Sequence, residues 1–164
     1  MRCQSEKNRQ DTDVTVVITT FNRAHYIAYS IDSILSQTLR PGRIVVVNDG
    51  STDETRKVLT TYQTQIEVFH RDNTGKAKSL NWLLPSITTE YVWFFDDDDV
   101  ALPHALSDLL SAFHEDTNIG FTFGDRYVSK TEGALLVDEA MLRPYRFAQA
   151  TELEQRLQLY HECT

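Results

Sequence analysis

Short apolar runs, each followed at once by polar residues, set the rhythm of the chain. Val14 to Thr19 reads Val-Thr-Val-Val-Ile-Thr, a β-branched run that predicts a first strand ending in Thr20, Phe21, Asn22 and Arg23. From Ala24 to Gln37 the residues Ile27, Ile31, Ile34 and Leu35 recur at helical spacing, and Pro41-Gly42 reads as the turn that closes this unit. Ile44 to Val47 predicts a second buried strand, ending in Asn48, Asp49 and Gly50. Ser51 with Glu54 has the spacing of a capping box, which starts a helix running to about Tyr62. Ile66 to Phe69 predicts a third strand, and the polar loop from His70 to Gly75 leads into a helix over Lys76 to Leu84.

The next run is Tyr91-Val-Trp-Phe-Phe95, followed by Asp96, Asp97, Asp98 and Asp99. Five apolar or aromatic residues without a polar break are too few for a helix and suit a strand buried on both faces of a parallel sheet. Pro103 is placed as the first residue of a further helix, with Leu102, Leu106, Leu109, Leu110 and Phe113 as its core stripe. Ile119 to Phe123 predicts a fifth strand, ending in Gly124 and Asp125. After Tyr127 the pattern weakens: Arg143-Pro144 breaks the chain, and Thr151 with Glu154 offers a second capping box before a helix to about Glu162. Strands and helices therefore alternate, the pattern of an α/β fold with a mostly parallel sheet and helices on both faces.

Composition narrows the class without choosing within it. The 164 residues are 41% hydrophobic and 24% charged, sufficient for a single domain with a real core, and no internal repeat or linker divides them. Sixteen basic against 24 acidic side chains leave a net charge of −8, which argues against nucleic acid or an anionic membrane as the general partner. Cys3 and Cys163 lie near opposite ends without metal-ligand spacing, so no disulfide framework is expected and a reduced, cytoplasmic compartment is. The segment Met1 to Asp13 is polar and is read as neither a signal peptide nor a spanning helix, and no run elsewhere approaches 18 apolar residues. Peripheral association with a membrane stays open.

Chemistry concentrates where strands end. Thr20 and Asn22 follow the first strand, Asp49 the second and Asp96 to Asp99 the fourth, all at the carboxyl edge where open α/β sheets bind ligands. Adjacent carboxylates repel, by about 1 kcal/mol per pair at about 4 Å in water and more at lower dielectric, and a bound cation removes that cost. Asp96 and Asp98 suit a hard divalent ion that shares its remaining positions with phosphate oxygens; a solvated acidic loop is the plain alternative. Asp49 can accept from a base imide or a ribose hydroxyl, or be a turn residue beside Gly50. Lys76, beside Gly75 at a helix start, can meet a diphosphate as a point charge or be a surface lysine.

Val-Val-Ile-Thr-Thr-Phe-Asn-Arg (16 to 23), Ile-Val-Val-Val-Asn-Asp-Gly-Ser-Thr-Asp (44 to 53), Asn-Thr-Gly-Lys-Ala-Lys-Ser-Leu-Asn (73 to 81) and Phe-Phe-Asp-Asp-Asp-Asp-Val-Ala-Leu-Pro (94 to 103) together resemble the family 2 inverting glycosyltransferases. The resemblance implies a GT-A fold, Rossmann-like in its nucleotide-binding part, a nucleotide diphosphate sugar donor, often a UDP-sugar, and Mn²⁺ or Mg²⁺. It implies that residues 14–125 are the donor part and 126–164 the start of an acceptor part, with 1–12 flexible.

Carried over, Thr20, Phe21, Asn22 and Asn73 would line the nucleotide pocket, Asp49 would bind the base and Lys76 would meet the diphosphate. Asp96 and Asp97 would lie toward the ribose, Asp98 would be the direct metal ligand with Asp96, and Asp99 would support the sugar or the metal. Many members carry Ala-Arg-Asn where this chain has Ser79, Leu80 and Asn81, a departure that removes an arginine from the donor side.

Inversion requires a carboxylate base for an acceptor hydroxyl. No stretch after Asp125 matches the family's base motif, and Asp125, Asp138, Glu139 and Glu152 read as surface residues. The catalytic base and the acceptor, whether saccharide, lipid or protein, are therefore left unassigned. Two other classes compete with a transferase: Mg²⁺-dependent phosphoryl or nucleotidyl transfer, against which stands the lack of a Walker loop, and a non-catalytic nucleotide-sugar-binding module.

Overall fold

The computed structural model describes residues 12–115 and 118–124, and the elements below belong to a compact unit that closes at Thr122. Four strands, β1 (Thr12–Thr20), β2 (Pro41–Asp49), β3 (Glu67–Arg71) and β4 (Tyr91–Asp96), form one sheet in the order β3-β2-β1-β4, and every pairing is parallel. The intervening helices are α1 (Ile27–Leu35), α2 (Thr55–Thr60) and α3 (Lys76–Leu83), the last followed by a short 3₁₀ turn over Leu84–Ser86; α4 (Ala105–Glu115) follows β4.

The alternation of side chains along β1 explains the layering. Val16 and Ile18 point to one face, where they pack with Ile44 and Val46 against Ile27, Ile31 and Ile34 of α1 and Leu59 of α2. Val17 points to the other, joining Val45 and Val47 under Leu83 and Leu80 of α3. A strand covered on both sides has no position for a polar break, hence the near-continuous apolar runs. The Ile27, Ile31 and Ile34 side chains are fully buried, each contributing about 1.5–3 kcal/mol relative to exposure.

Chain order steps outward from β1 to β2 to β3, then returns to the far side of β1 with β4. Right-handed crossovers in opposite directions place α1 and α2 on one face and α3 on the other. The strand order thus reverses between β1 and β4, whose ends lie side by side with Thr19 paired to Asp96. Open α/β sheets take their ligands at such a reversal of strand order.

Several expectations are corrected. Pro41-Gly42 is not a turn but the start of β2: Thr12 pairs with Pro41, and a proline is tolerated at the first residue of a strand. Helix α1 begins at Ile27 rather than Ala24, because the preceding residues form turns closed on Arg23 C=O. Ser51 caps nothing: α2 starts at Thr55, the Thr55 N–H donates to Asp53, and the Ser51 hydroxyl instead accepts from the Asn22 N–H. Pro103 precedes α4 and supplies its carbonyl to the Thr38 N–H; of the expected stripe only Leu106 is fully buried.

Strand β4 is not buried on both faces but lies at an edge of the described sheet, with Phe94 51% exposed. No strand forms over Ile119 to Phe123: Thr122 Oγ1 donates to Leu109 C=O, tying this segment to α4 rather than to a sheet edge, and Phe121 is 64% exposed. The Arg143-Pro144 break, the helix expected after Thr151, both cysteines and the carboxylates Asp125, Asp138, Glu139 and Glu152 lie outside the described residues.

Candidate functional site

At the carboxyl edge, the loop leaving β1 is bound to the loop leaving β2. Asn22 adopts a left-handed conformation (φ 53°), which asparagine tolerates better than most residues, and this turns its side chain toward the next loop. Its Oδ1 accepts the N–H groups of Thr52 at 2.8 Å and Asp53 at 3.3 Å, while its own N–H donates to Ser51 Oγ at 2.9 Å. In return Asp53 Oδ2 accepts the Ala24 N–H, and Thr55 Oγ1 accepts the Arg23 N–H. Burial raises the Asp53 pKa, but the hydrogen bonds from Thr55 and Ala24 outweigh it and hold this carboxyl below its ordinary value.

The β2 loop is bound in turn to the loop before α3. Asp49 is buried, and its carboxylate gathers the N–H of Thr74 at 3.1 Å, the N–H of Gly75 at 2.7 Å and the hydroxyl of Ser79 at 2.7 Å. Burial pushes its pKa up, yet Ser79, Thr74 and Gly75 together bring it below the usual value, so the group is a carboxylate at neutral pH. Gly50, at φ +80°, lets Asn73 come close: a Cβ there would stand 2.6 Å from the Asn73 nitrogen. Arg71, at the end of β3, reaches Ser79 and lies 4.5 Å over the Trp82 ring.

The ring of contacts closes through the aspartates. Lys76, the first residue of α3, pairs with Asp96 at the end of β4. Arg23 lies 3.7 Å from Asp97 and 3.8 Å from Asp98. Burial drives the Asp97 pKa up, and neither Thr20 nor Arg23 fully offsets it. The Thr20 hydroxyl acts on Asp97 as a hydrogen-bonding neighbour and lowers its pKa without cancelling the effect of burial. Within strict hydrogen-bond geometry Thr20 Oγ1 is nevertheless a buried polar atom without a partner, an uncommon condition in a folded chain. Phe21 beside it is exposed.

Helix α1 fixes the backbone that follows the aspartates. Ser30 Oγ donates to Asp99 C=O at 2.7 Å, and Ser33 Oγ accepts the Ala101 N–H at 3.0 Å. One turn further, Gln37 donates to Leu102 C=O and accepts the Leu106 N–H.

All the residues singled out in the sequence therefore stand on one edge: Thr20, Phe21 and Asn22 from β1, Asp49 from β2, Asn73 and Lys76 at α3, and Asp96, Asp97, Asp98 and Asp99 after β4. The structure does not gather Asp96, Asp98 and Asp99 into a cage. Among the described residues no three acidic, histidine or cysteine side chains converge on one point: Asp96 is turned to Lys76 and Asp98 to Arg23. Sequence reasoning missed Arg23, Ser79, Arg71 and the polar stripe Ser30, Ser33, Gln37. Only the stripe had a signal, in polar residues recurring at helical spacing beside the isoleucines.

The model of the glycosyl transferase family 2 matches residues 15–163. The chain belongs to glycosyl transferase family 2. An uncharacterized glycosyltransferase of Nostoc sp. is 36% identical over 111 residues, covering 65% of this chain and 34% of that protein. Among solved structures, residues 1–349 of TarS from S. aureus, in complex with UDP-GlcNAc, superpose with a TM-score of 0.56 at 28% identity, covering 62% of this chain and 31% of that one. The mannosyltransferase PcManGT of Pyrobaculum calidifontis, in complex with GDP-Man and Mn²⁺, gives 0.55 at 28% identity, covering 63% and 32%. This family 2 chain thus has the α/β fold of its GT-A neighbours and spans about a third of the length of these relatives. No helix among its described residues is long and apolar enough to cross a membrane.

Proposed function

We propose that this chain is the donor-binding portion of a metal-dependent, inverting glycosyltransferase that takes a nucleotide diphosphate sugar, with UDP as the nucleotide. One observation carries the reading: the Thr20 hydroxyl, buried and without a partner in strict hydrogen-bond geometry, lies at the strand reversal next to Asp97, on the edge that also holds Asp49 and Lys76. The relatives captured with UDP-GlcNAc and with GDP-Man and Mn²⁺ support the ligand class.

In this reading Phe21 offers its exposed ring to the base, and Thr20 and Asn73 line the nucleotide pocket. Asn22 shapes that pocket through the loop it binds. Asp49 serves the base side, either by fixing the Thr74–Gly75 backbone or by exchanging one of its internal donors for the base. Asp96 and Asp97 take the ribose side, and Lys76 leaves Asp96 to meet the diphosphate as a point charge.

Asp98, with Asp96 and Asp99 in support, would hold Mn²⁺ or Mg²⁺. Hard carboxylate oxygens fit such an ion, and the lack of a three-carboxylate cage fits one that completes its coordination with phosphate and water. When bound, the ion supplies Lewis-acid stabilisation of the leaving nucleoside diphosphate. Thr20, Lys76 and the loop clamp orient the donor so that the acceptor hydroxyl attacks the anomeric carbon from the face opposite the leaving group. None of the described carboxylates is assigned as the base for that hydroxyl. We further propose a cytoplasmic location and a single domain over 1–164.

Titration of UDP with and without Mn²⁺, in the wild type and in Asp98→Ala, tests the reading. Binding that needs metal and drops at least about tenfold in the variant is expected; metal-independent binding, or an unaffected variant, overturns it.

A further inference from the structure

Arg23 follows the first strand and is anchored at its backbone, where its N–H donates to Thr55 Oγ1 at 2.9 Å. Its side chain, 45% exposed, leans toward Asp97 and Asp98 at 3.7 and 3.8 Å, too far for hydrogen bonds. The contact is one of charge, without the bidentate fork that locks an arginine to a carboxylate. Lys76 already occupies Asp96. Each of the first three acids therefore faces a cation, in a cluster whose mutual repulsion demands one.

We propose that Arg23 is a resident counter-cation of Asp97 and Asp98, which a divalent ion must displace. Metal alone then binds weakly, and it binds well only together with a nucleoside diphosphate. A guanidinium keeps its charge at any working pH, so it yields only by moving; the long, half-exposed side chain without hydrogen bonds to these acids moves readily. While it stays, an incoming divalent ion meets its positive charge across the same carboxylates. A diphosphate supplies negative charge at that point and lets Arg23 turn outward. Arg23 thereby couples metal and nucleotide, and this coupling rests on the donor-site reading above.

The test is Mn²⁺ binding, followed by the electron paramagnetic resonance of the free ion, with and without saturating UDP. Wild type is compared with Arg23→Gln, Arg23→Lys and the remote charge control Lys57→Gln. Without UDP, Arg23→Gln binds Mn²⁺ about fivefold more tightly at low salt, and the advantage shrinks as salt rises toward about 0.5 M, as screening of a half-exposed charge requires. The factor by which UDP tightens Mn²⁺ falls correspondingly in Arg23→Gln, while Arg23→Lys and Lys57→Gln behave as wild type. Equal or weaker Mn²⁺ binding by Arg23→Gln, or an unchanged UDP coupling in it, overturns the role of Arg23 and leaves the donor site standing. Absence of Mn²⁺-dependent UDP binding in every protein overturns the donor-site reading and this role with it.

Discussion

Asp49 shows how far one residue can depart from its position in a sequence. It follows an apolar run and precedes a glycine, which suggests a ligand contact or a turn, yet its carboxylate holds Thr74, Gly75 and Ser79, about 25 residues further on. No local pattern announces partners at that separation. A carboxylate with these donors is a structural anchor, and Asp49→Asn leaves an amide N–H₂ facing the Gly75 N–H; a loss of about 2–3 kcal/mol at pH 7 is expected from urea unfolding. The pH dependence has a definite sign. Because the folded pKa of Asp49 is lowered, its stabilisation is present above the unfolded pKa of 3.8 and disappears as pH falls through the folded value. The gap between wild type and Asp49→Asn is therefore expected to close below about pH 4, and a constant gap down to pH 2 would contradict the assignment. Asp97 has the opposite sign: its raised pKa means that stability falls as pH rises past the unfolded value. Asp97→Asn is thus expected to stabilise the apo protein at pH 7 by up to about 1 kcal/mol, because it removes the burial penalty on the charged carboxylate.

At the scale of elements, the legible features were those set by periodicity. The strands at Val14 and Ile44 and the isoleucine face of α1 stand where their spacing put them, since a parallel sheet covered on both faces admits little else. Boundaries were less legible because they are set by partners: Pro41 is drawn into β2 by Thr12, Ser51 into the clamp by Asn22, and Thr122 to α4 by Leu109. The clamp itself was hidden in residues that look like ordinary loop. Asn22→Ala removes the acceptor for Thr52 and Asp53 and keeps a Cβ at positive φ, so a loss of about 2 kcal/mol is expected, whereas Asn22→Gly loses the acceptor alone and costs less. Hydrogen exchange of the Thr52 and Asp53 amides should accelerate in both variants; unchanged protection would remove the clamp from the account. The polar stripe of α1 acts on the other side of the crevice. Ser30→Ala removes the Ser30 hydroxyl donor from Asp99 C=O and is expected to cost about 1 kcal/mol in unfolding.

For the molecule as a whole, the crevice depends on which side of β1 the chain chooses at each crossover. Strand types and helix faces were readable, but the outer position of β4 was not: an unbroken Tyr-Val-Trp-Phe-Phe run describes a strand with two covered faces, while its place in the sheet depends on pairings across the chain. The consequence is an edge whose loops are bound to one another and whose centre holds Thr20 Oγ1 without a partner in strict geometry, with Asp96 facing Lys76 and Asp97 and Asp98 facing Arg23. Any ligand that binds only the folded state stabilises it by RT ln(1 + [L]/Kd), about 2.7 kcal/mol at about 100 times Kd. UDP with Mn²⁺ at that ratio should therefore raise the midpoint of thermal unfolding by several degrees, and Mn²⁺ alone by much less. In Thr20→Val, which fills the same space without a hydroxyl, apo stability should rise while the shift on adding UDP and Mn²⁺ shrinks. If the two proteins differ in apo stability but shift equally with ligand, Thr20 is only a strained core residue; if the shift falls with the hydroxyl, the unpartnered oxygen belongs to the donor site.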